Sequence, residues 1–267
     1  MLLYDIASGD SPLIVSVPHA GRHVPDAIAL RLSAAARRVP DTDWHVDELY
    51  RFAPSTGATL IAATHSRYVV DLNRDPSGRV LYPGADNSEL CPTRTFGNEP
   101  VYRHGEEPAP VEVDARRATY FAPYHARLAA EIGRLRARHG YAILVDGHSI
   151  AAEVPRFFDG RLPDLNLGTS NGSSCDPAAQ ALAAGIVSSA AGFTHVVNGR
   201  FKGGYITRRY GIPDENVHAL QLEMTQACYL DEGDPERYDA ARATPLIGVL
   251  ERLVVALAEW RPPGLAR

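Results

Sequence analysis

Cysteine is scarce in this chain of 267 residues, which holds only three, together with two Met and two Trp. Cys91, Cys175 and Cys228 are odd in number, lie far apart and form no Cys-x-x-Cys pair. That usage excludes a small disulfide-built secreted protein and suits a reducing compartment.

Long apolar runs are missing as well, since none approaches the roughly 20 residues of a membrane-spanning helix. The first residues also lack the basic segment and long apolar stretch of a secretory signal. We therefore expect a cytoplasmic protein without a membrane partner. An excess of positive charge is absent too, because 27 Lys and Arg face 32 Asp and Glu, a formal net charge of −5. Nucleic acid is not expected as a partner, and the sequence holds no sign of the oligomeric state.

What is present is the composition of a globular protein, with 45% apolar residues and 22 Gly and 20 Pro that indicate many turns. Short apolar runs predict strands, and helical periodicity predicts helices between them. The strands are expected at 13–17, 59–64, 68–72, 141–145, 195–197 and 217–224; the helices at 25–38, 44–52, 111–139 with a break at Pro123, 177–191 and 244–260; and long loops at 73–110, 154–176 and 198–211. This alternation predicts one α/β domain with a mostly parallel or mixed central sheet flanked by helices.

Polar side chains stand at the ends of the predicted strands. His19 follows the first strand, His148 follows the strand 141–145, and Glu223 lies within the last. Ligands of α/β sheets collect at the carboxyl ends of the strands. Two histidines with one acid would make a three-ligand Zn²⁺ site with an open fourth position, and Glu223 would accept a proton from water. Asp146 would orient a ring from behind the site.

Ordinary structural explanations exist for each of these residues. A histidine after a strand is commonly a loop residue that hydrogen-bonds to the backbone, and Glu223 would otherwise form a salt bridge on an edge strand. The apolar residues Leu220, Leu222 and Met224 indicate alternation, however. Glu223 is therefore expected to share a polar face with Gln221 and Thr225, and a polar face on this strand calls for a functional explanation.

The acidic ligand is left open by the residues themselves. The segment 41–48 offers four carboxylates, and its histidine is a further candidate ligand. As alternatives, the first two acids would cap a helix and the last two would lie on a solvated helix face. The candidates are Asp41, Asp43, Asp47, Glu48 and His45.

Two basic motifs predict an anionic substrate. Arg67 and Arg74 flank the run 68–72, and an arginine gives a bidentate match to a carboxylate. The glycine-containing loop 198–211 is expected to bind an anion. The alternative, a surface basic patch, is common, but the acidity of the whole chain counts against it. The four cations of the loop are Arg200, Lys202, Arg208 and Arg209.

Six segments together resemble the N-formylglutamate amidohydrolase family, from about residue 10 to about residue 232. They are 17–21, 41–47, 66–74, 146–149, 198–209 and 219–223, and the loops 91–97 and 158–164 favour the members that act in histidine degradation. The resemblance implies hydrolysis of N-formyl-L-glutamate to formate and L-glutamate, the last step of that pathway. It also implies a metal-dependent enzyme with a fold similar to zinc carboxypeptidases and aspartoacylases.

In those relatives a His, an acid and a second His hold the metal and a late Glu is the general base, which maps onto His19, His148 and Glu223. The tetrapeptide 71–74 looks like that of aspartoacylases, whose Asn and Arg hold the substrate; here these are Asn73 and Arg74.

The short His-x-x-Glu spacing of those relatives is absent, because Arg22 stands where the Glu would be. Asp43 is therefore the first choice for the acidic ligand, with Asp47 next. Arg67 is expected to stabilise the oxyanion, while Arg74 and the basic loop 200–209 bind the glutamate carboxylates. Zn²⁺ is the favoured metal, with Mn or Co able to substitute. The rival functions are hydrolysis of another N-acyl or N-formimino amino acid and a non-catalytic binder of acidic metabolites.

Overall fold

A central sheet of seven strands organises the computed structural model, which describes residues 1–81 and 83–264. The strands lie in the order β1-β3-β2-β4-β7-β5-β6. Their bounds are β1 Tyr4–Ala7, β2 Leu13–Val17, β3 Thr59–Ala63, β4 Ala142–Ile150, β5 Leu165–Gly168, β6 His195–Val197 and β7 Val217–Thr225.

The middle of the sheet is parallel and its flanks are mixed. Strands β3, β2, β4 and β7 run parallel to one another, whereas β1 pairs antiparallel with β3, and β5 pairs antiparallel with β7. All nine residues of both β4 and β7 are buried, as expected for strands covered on both faces. The expected α/β fold with a mixed central sheet flanked by helices is confirmed.

Helices cover both faces of the sheet and divide the core into two layers. One layer contains α4 and α6 with β4, and the other contains α2, α5 and α7. The helices are α1 Asp26–Ala29, α2 Val46–Leu49, α3 Pro110–Arg116, α4 Ala122–His139, α5 Pro177–Ser188, α6 Tyr205–Tyr210 and α7 Ala240–Glu259. Within the described residues, no helix is long and apolar enough to cross a membrane.

Helix α4 illustrates how the sequence determines an element. Its residues Leu128, Ile132 and Leu135 recur at helical spacing and are buried against the sheet. Pro123 lies in the first turn, where a missing N–H costs nothing. A short π-helical segment, 117–121, joins α3 to α4. Gly140 ends the helix with φ of 81°, a conformation that favours glycine.

Several predicted elements differ from the structure. The run 68–72 is not a strand. Val69 N–H donates to Ser66 O within a turn, and Asp71 N–H donates to Leu90 O of a distant loop segment, so neither bond belongs to a sheet ladder. The predicted helix 25–38 is reduced to α1 and a 3₁₀ turn at Ala36–Arg38. Two predicted loops contain regular structure, β5 and α6, because neighbouring strands and the sheet stabilise elements whose short apolar pattern is weak. The four-residue β1, half exposed, was not predicted.

Candidate metal centre and active site

His19, Asp43 and His148 meet at the carboxyl ends of the parallel strands. His19 lies two residues beyond β2, His148 lies near the end of β4, and Asp43 belongs to the loop before α2. The loop is held there by its backbone, since Asp43 N–H donates to His19 O over 3.0 Å. All three side chains are buried.

The two imidazole rings direct the same nitrogen at one carboxylate oxygen. Nδ1 of His148 lies 2.9 Å from Oδ2 of Asp43, and Nδ1 of His19 lies 3.8 Å from that oxygen. One donor atom from each residue lies within 4.8 Å of the others, which is a group that could hold a metal ion. Ser149 N–H also donates to Asp43 Oδ2, over 3.1 Å, and fixes the carboxylate on β4.

The outer nitrogens of both rings face carboxylates. Nε2 of His19 lies 2.8 Å from Oδ1 of Asp71, and Nε2 of His148 lies 2.9 Å from Oδ2 of Asp146. Metal-binding histidines commonly donate their second N–H to a carboxylate in this way, which fixes the ring and its tautomer. Asp146 thus lies where the sequence predicted an orienting residue, while Asp71 was missed because its segment was interpreted as a strand.

One ligand atom is left without a partner. Nδ1 of His19 is buried and no described residue hydrogen-bonds to it. A buried nitrogen of this kind carries a free-energy penalty unless it finds a partner. Since the tautomer that donates Nε2–H to Asp71 leaves the Nδ1 lone pair exposed toward Asp43, the donor set fits a divalent metal ion.

The electrostatics of the triad depend on Arg67. Although burial alone would raise the pKa of the Asp43 carboxyl, the charge of Arg67 and the ring of His148 hold that pKa far below its usual range. Arg67 donates from Nη2 to Asp43 Oδ1, and its Nη1 lies 3.6 Å from Asp71 Oδ2. The Asp71 carboxyl likewise keeps a pKa well below the ordinary value, against its burial, through Arg74 and His19.

Burial alone would lower the pKa of His148. Asp146 and Asp43 more than offset that effect, so its pKa lies well above the ordinary value. The ring therefore lies in a strongly negative environment, which suits a cation.

Glu223 lies across from His148 on the neighbouring strand. The two are Cα partners in the β4–β7 ladder, and the Glu223 side chain lines the same cavity as both histidines. Burial raises the pKa of the Glu223 carboxyl to about 7, with nearby Asp43 acting in the same direction and His148 opposing it. The alternation predicted for β7 is present, because Leu220 and Leu222 are in the core while Gln221 and Glu223 line the cavity.

The cavity combines charged and aromatic walls. Arg67, Asn73 and Arg74 form part of its wall. The ring of Phe96 packs against Arg67, with the guanidinium carbon 4.8 Å from the ring centre. Phe96 was not singled out by sequence reasoning, although it lies in the 91–97 loop that supported the family resemblance.

Asn73 and Arg74 are held by the surrounding structure. The Asn73 side-chain amide accepts from Ile206 N–H over 2.7 Å and donates to Asp146 Oδ2 over 3.2 Å. Arg74 Nε donates to Ser88 Oγ over 2.9 Å. Both residues therefore reach the cavity in defined orientations.

The four cations of the basic loop are not part of the cavity wall, which this loop reaches through Phe201 and Gly204. Arg200 donates to Phe157 O over 2.7 Å, and Arg208 donates to Gly203 O over 2.9 Å. Lys202 is half-buried, and Arg209 is exposed beside the Tyr210 ring.

The other candidate ligands of the segment 41–48 lie outside the triad. The Asp41 carboxylate accepts from Phe96 N–H, Glu48 pairs with Arg51, and His45 Nε2 lies 3.0 Å from Pro235 O. Asp47 is half-buried in α2. Asp43, the first choice from the sequence, is the acid that the structure brings to both histidines.

Known proteins provide an independent comparison. A family model described as N-formylglutamate amidohydrolase matches residues 11–230. Two relatives named N-formylglutamate deformylase, from Pseudomonas putida and Pseudomonas aeruginosa, are each 46% identical over 252 residues, covering 94% of this chain and 94% of the relative.

Solved structures agree with this. The crystal structure of N-formylglutamate amidohydrolase from Ralstonia eutropha superimposes with a TM-score of 0.82 at 27% identity, covering 97% of this chain and 98% of that one. A gene product of Agrobacterium tumefaciens shares the fold at a TM-score of 0.70 and 19% identity, covering 96% of each chain. The resemblance found in the motifs is confirmed, and the chain belongs to the N-formylglutamate amidohydrolase family.

Proposed function

We propose that this chain is a metal-dependent amidohydrolase that cleaves N-formyl-L-glutamate to formate and L-glutamate. The observation that carries the proposal is the buried His19–Asp43–His148 group facing the same cavity as Glu223. The name shared by both Pseudomonas relatives supports this substrate. One catalytic domain accounts for the activity, since strands from β1 to β7 form one sheet.

His19, Asp43 and His148 would hold the metal, with Zn²⁺ favoured and Mn or Co as substitutes. The unpartnered Nδ1 of His19 supports this assignment, as does a donor set of two imidazoles and one carboxylate. When bound, such an ion supplies Lewis-acid polarisation of the formyl group and of water. Asp71 and Asp146 keep the two rings oriented for it.

Glu223 is the proposed general base. It takes the proton from the attacking water and passes it to the nitrogen of the leaving glutamate. A group with a pKa near 7 both accepts and returns a proton efficiently at neutral pH, and burial of Glu223 raises its pKa to about 7.

Arg67 is proposed to stabilise the oxyanion. It lines the cavity, and its Nε is buried without a partner among the described residues. Its remaining N–H groups hold Asp43 and approach Asp71, so the guanidinium is oriented before substrate binds. One preorganised donor of this kind commonly contributes about 3–4 kcal/mol to transition-state stabilisation.

Asn73 and Arg74 remain the proposed substrate-binding pair, because both line the cavity. Arg74 would bind a glutamate carboxylate, for which a guanidinium offers matched donors. The basic loop borders the cavity through Phe201 and Gly204, and its cations would attract the dicarboxylate over a longer range. They are Arg200, Lys202, Arg208 and Arg209.

The proposal is tested by measuring formate release from N-formyl-L-glutamate by metal-depleted protein before and after zinc is restored. We expect activity only after restoration. N-acetyl- and N-formimino-L-glutamate are assayed in parallel by release of L-glutamate, the product common to all three, and a higher kcat/KM for either would replace the formyl substrate. Substrate binding without any release of product would instead support a binder of acidic metabolites.

A further inference from the structure

We propose that Gln221 is a positioning residue. It sets the orientation of the Glu223 carboxylate and connects it to Gly204 in the glycine-containing loop 198–211. This inference depends on the proposed function, in which Glu223 is the base. It concerns the polar face of β7, which the sequence left without an explanation.

The orientation of the Gln221 amide is determined by its partners. Gly204 N–H donates to Gln221 Oε1 over 2.7 Å, and a backbone N–H can only donate. The other end of the amide must then be the NH₂ group, which donates from Nε2 to Glu223 Oε2 over 3.0 Å. The hydrogen bond is buried, so water cannot replace it at low cost.

This contact acts on the remaining freedom of Glu223. The backbone of β7 is fixed on both sides, because Glu223 pairs with His148 on β4 and with Asn166 on β5. Side chains two residues apart on a strand lie on the same face, so Gln221 can restrain the Glu223 carboxylate. Among the described residues no hydrogen bond reaches Glu223 Oε1, which leaves this oxygen to take the proton from water.

The other end of the amide connects the base to the loop that forms one wall of the cavity. Gly168 pairs with Gln221, and a Cβ added to Gly168 would lie 2.7 Å from Gly203 N. The loop backbone therefore lies directly against β5 beside Gln221. Because Gln221 hydrogen-bonds to both Gly204 and Glu223, a shift of the loop backbone at Gly204 would move the Glu223 carboxylate.

Two variants separate positioning from packing. Gln221→Met keeps the length of the side chain and removes both hydrogen bonds, whereas Gln221→Glu keeps the acceptor for Gly204 and replaces the amide donor by a carboxyl group that competes with Glu223 for a proton. We expect both to lower kcat by about 10–100-fold, the effect of one hydrogen bond to a charged group, with KM changed less than about threefold. Zinc content should match the wild type.

The matched control is His218→Leu, which removes one partly buried hydrogen bond, from Asp176 N–H, at the far end of the same strand. We expect it to lower the melting temperature to a similar degree without changing kcat. A kcat loss in this control equal to that of Gln221→Met would assign the effect to stability and overturn the inference.

A double-mutant cycle supplies the decisive test. If Gln221 acts through Glu223, then Gln221→Met has no further effect on single-turnover rates in a Glu223→Gln background. The same fold-loss in both backgrounds, or wild-type kcat in both Gln221 variants, overturns the inference while leaving the proposed function intact. A wild-type protein that releases no formate would contradict the proposed function itself.

Discussion

At the scale of single residues, groups from three other residues converge on one atom, Oδ2 of Asp43. This oxygen accepts a hydrogen bond from Ser149 N–H and faces Nδ1 of both His19 and His148. Sequence reasoning found the two histidines and Glu223 because polar groups at the ends of apolar strands are conspicuous. It ranked Asp43 without isolating it, since a loop carboxylate can be assigned only when the chain path is known.

Replacement of Glu223 tests the base assignment. We expect Glu223→Gln to lower kcat by about 10²–10⁴-fold, the usual contribution of a general base, because the amide cannot accept the proton. Steady-state rates and elemental analysis on the same sample check this. Near-wild-type turnover with zinc still bound would exclude Glu223 as the base.

Removal of the acidic ligand tests the metal group. Asp43→Ala should reduce the zinc content to background, because three protein ligands become two and Arg67 loses its partner. The control is Asp47→Ala, the second choice from the sequence, which should keep its zinc. The assignment of Asp43 fails if the zinc content is unchanged when measured by elemental analysis after gel filtration.

Asp71 offers a test of the residues behind the ligands. Asp71→Asn weakens the hold on His19 Nε2–H, so zinc affinity should fall by about 10–100-fold. Competition with a chelator measures this, with Asp75→Asn as the control, a half-buried acid of the same loop whose Oδ1 accepts hydrogen bonds from Ser77. Equal affinities of the two variants would show that Asp71 does not orient the ring.

At the scale of elements, strong periodicity was the reliable signal. Strand β7 and the end of helix α4 were predicted close to their observed bounds, because their patterns agree with burial on both sides of the sheet, whereas β4 continues from the predicted end at Val145 to Ile150 through polar residues. The short elements β5 and α6 were missed, since their stability comes from neighbouring elements instead of their own sequence. The run 68–72 is apolar, but its composition did not reveal that no neighbouring strand pairs with it, and Val69 N–H closes a turn with Ser66 O instead.

Helix α4 contains a buried histidine that makes stability depend on pH. Burial lowers the pKa of His125 to about 4, against 6.5 in the unfolded chain. Between these values the unfolded state binds more protons, so stability falls as pH falls from about 6.5 to about 4, by up to about 3 kcal/mol.

Urea unfolding across this pH range measures the dependence. His125→Gln cannot titrate and should show a shallower slope, whereas His104→Gln, at an exposed position, should keep the wild-type slope. An unchanged slope in the His125 variant would assign the dependence to other groups.

For the whole molecule, the net charge of −5 and the basic loop have opposite signs. The composition excluded a general polyanion binder but could not locate the cations, which lie in the loop that reaches the cavity wall through Phe201 and Gly204. Attraction of a dicarboxylate by this loop should be screened by salt.

Salt dependence tests that attraction. Arg209→Gln should lower kcat/KM by about two- to threefold at low ionic strength, through KM, and the difference should vanish at about 0.5 M salt. Arg252→Gln, an exposed arginine of α7 that belongs to the opposite layer of the fold, is the control. Equal kcat/KM for the two variants at low salt would show that Arg209 of the basic loop does not attract the substrate.

The proposed base Glu223 and the candidate metal ligand His148 lie on paired central strands, whereas the aromatic walls of the cavity come from loops. Phe96, Phe157 and Phe201 contribute side chains from three separate connections. These three aromatic residues are distinct from the His19–Asp43–His148 group. A library randomised at these three positions should yield enzymes with new acyl preferences that retain their metal, so this scaffold is well suited to directed evolution.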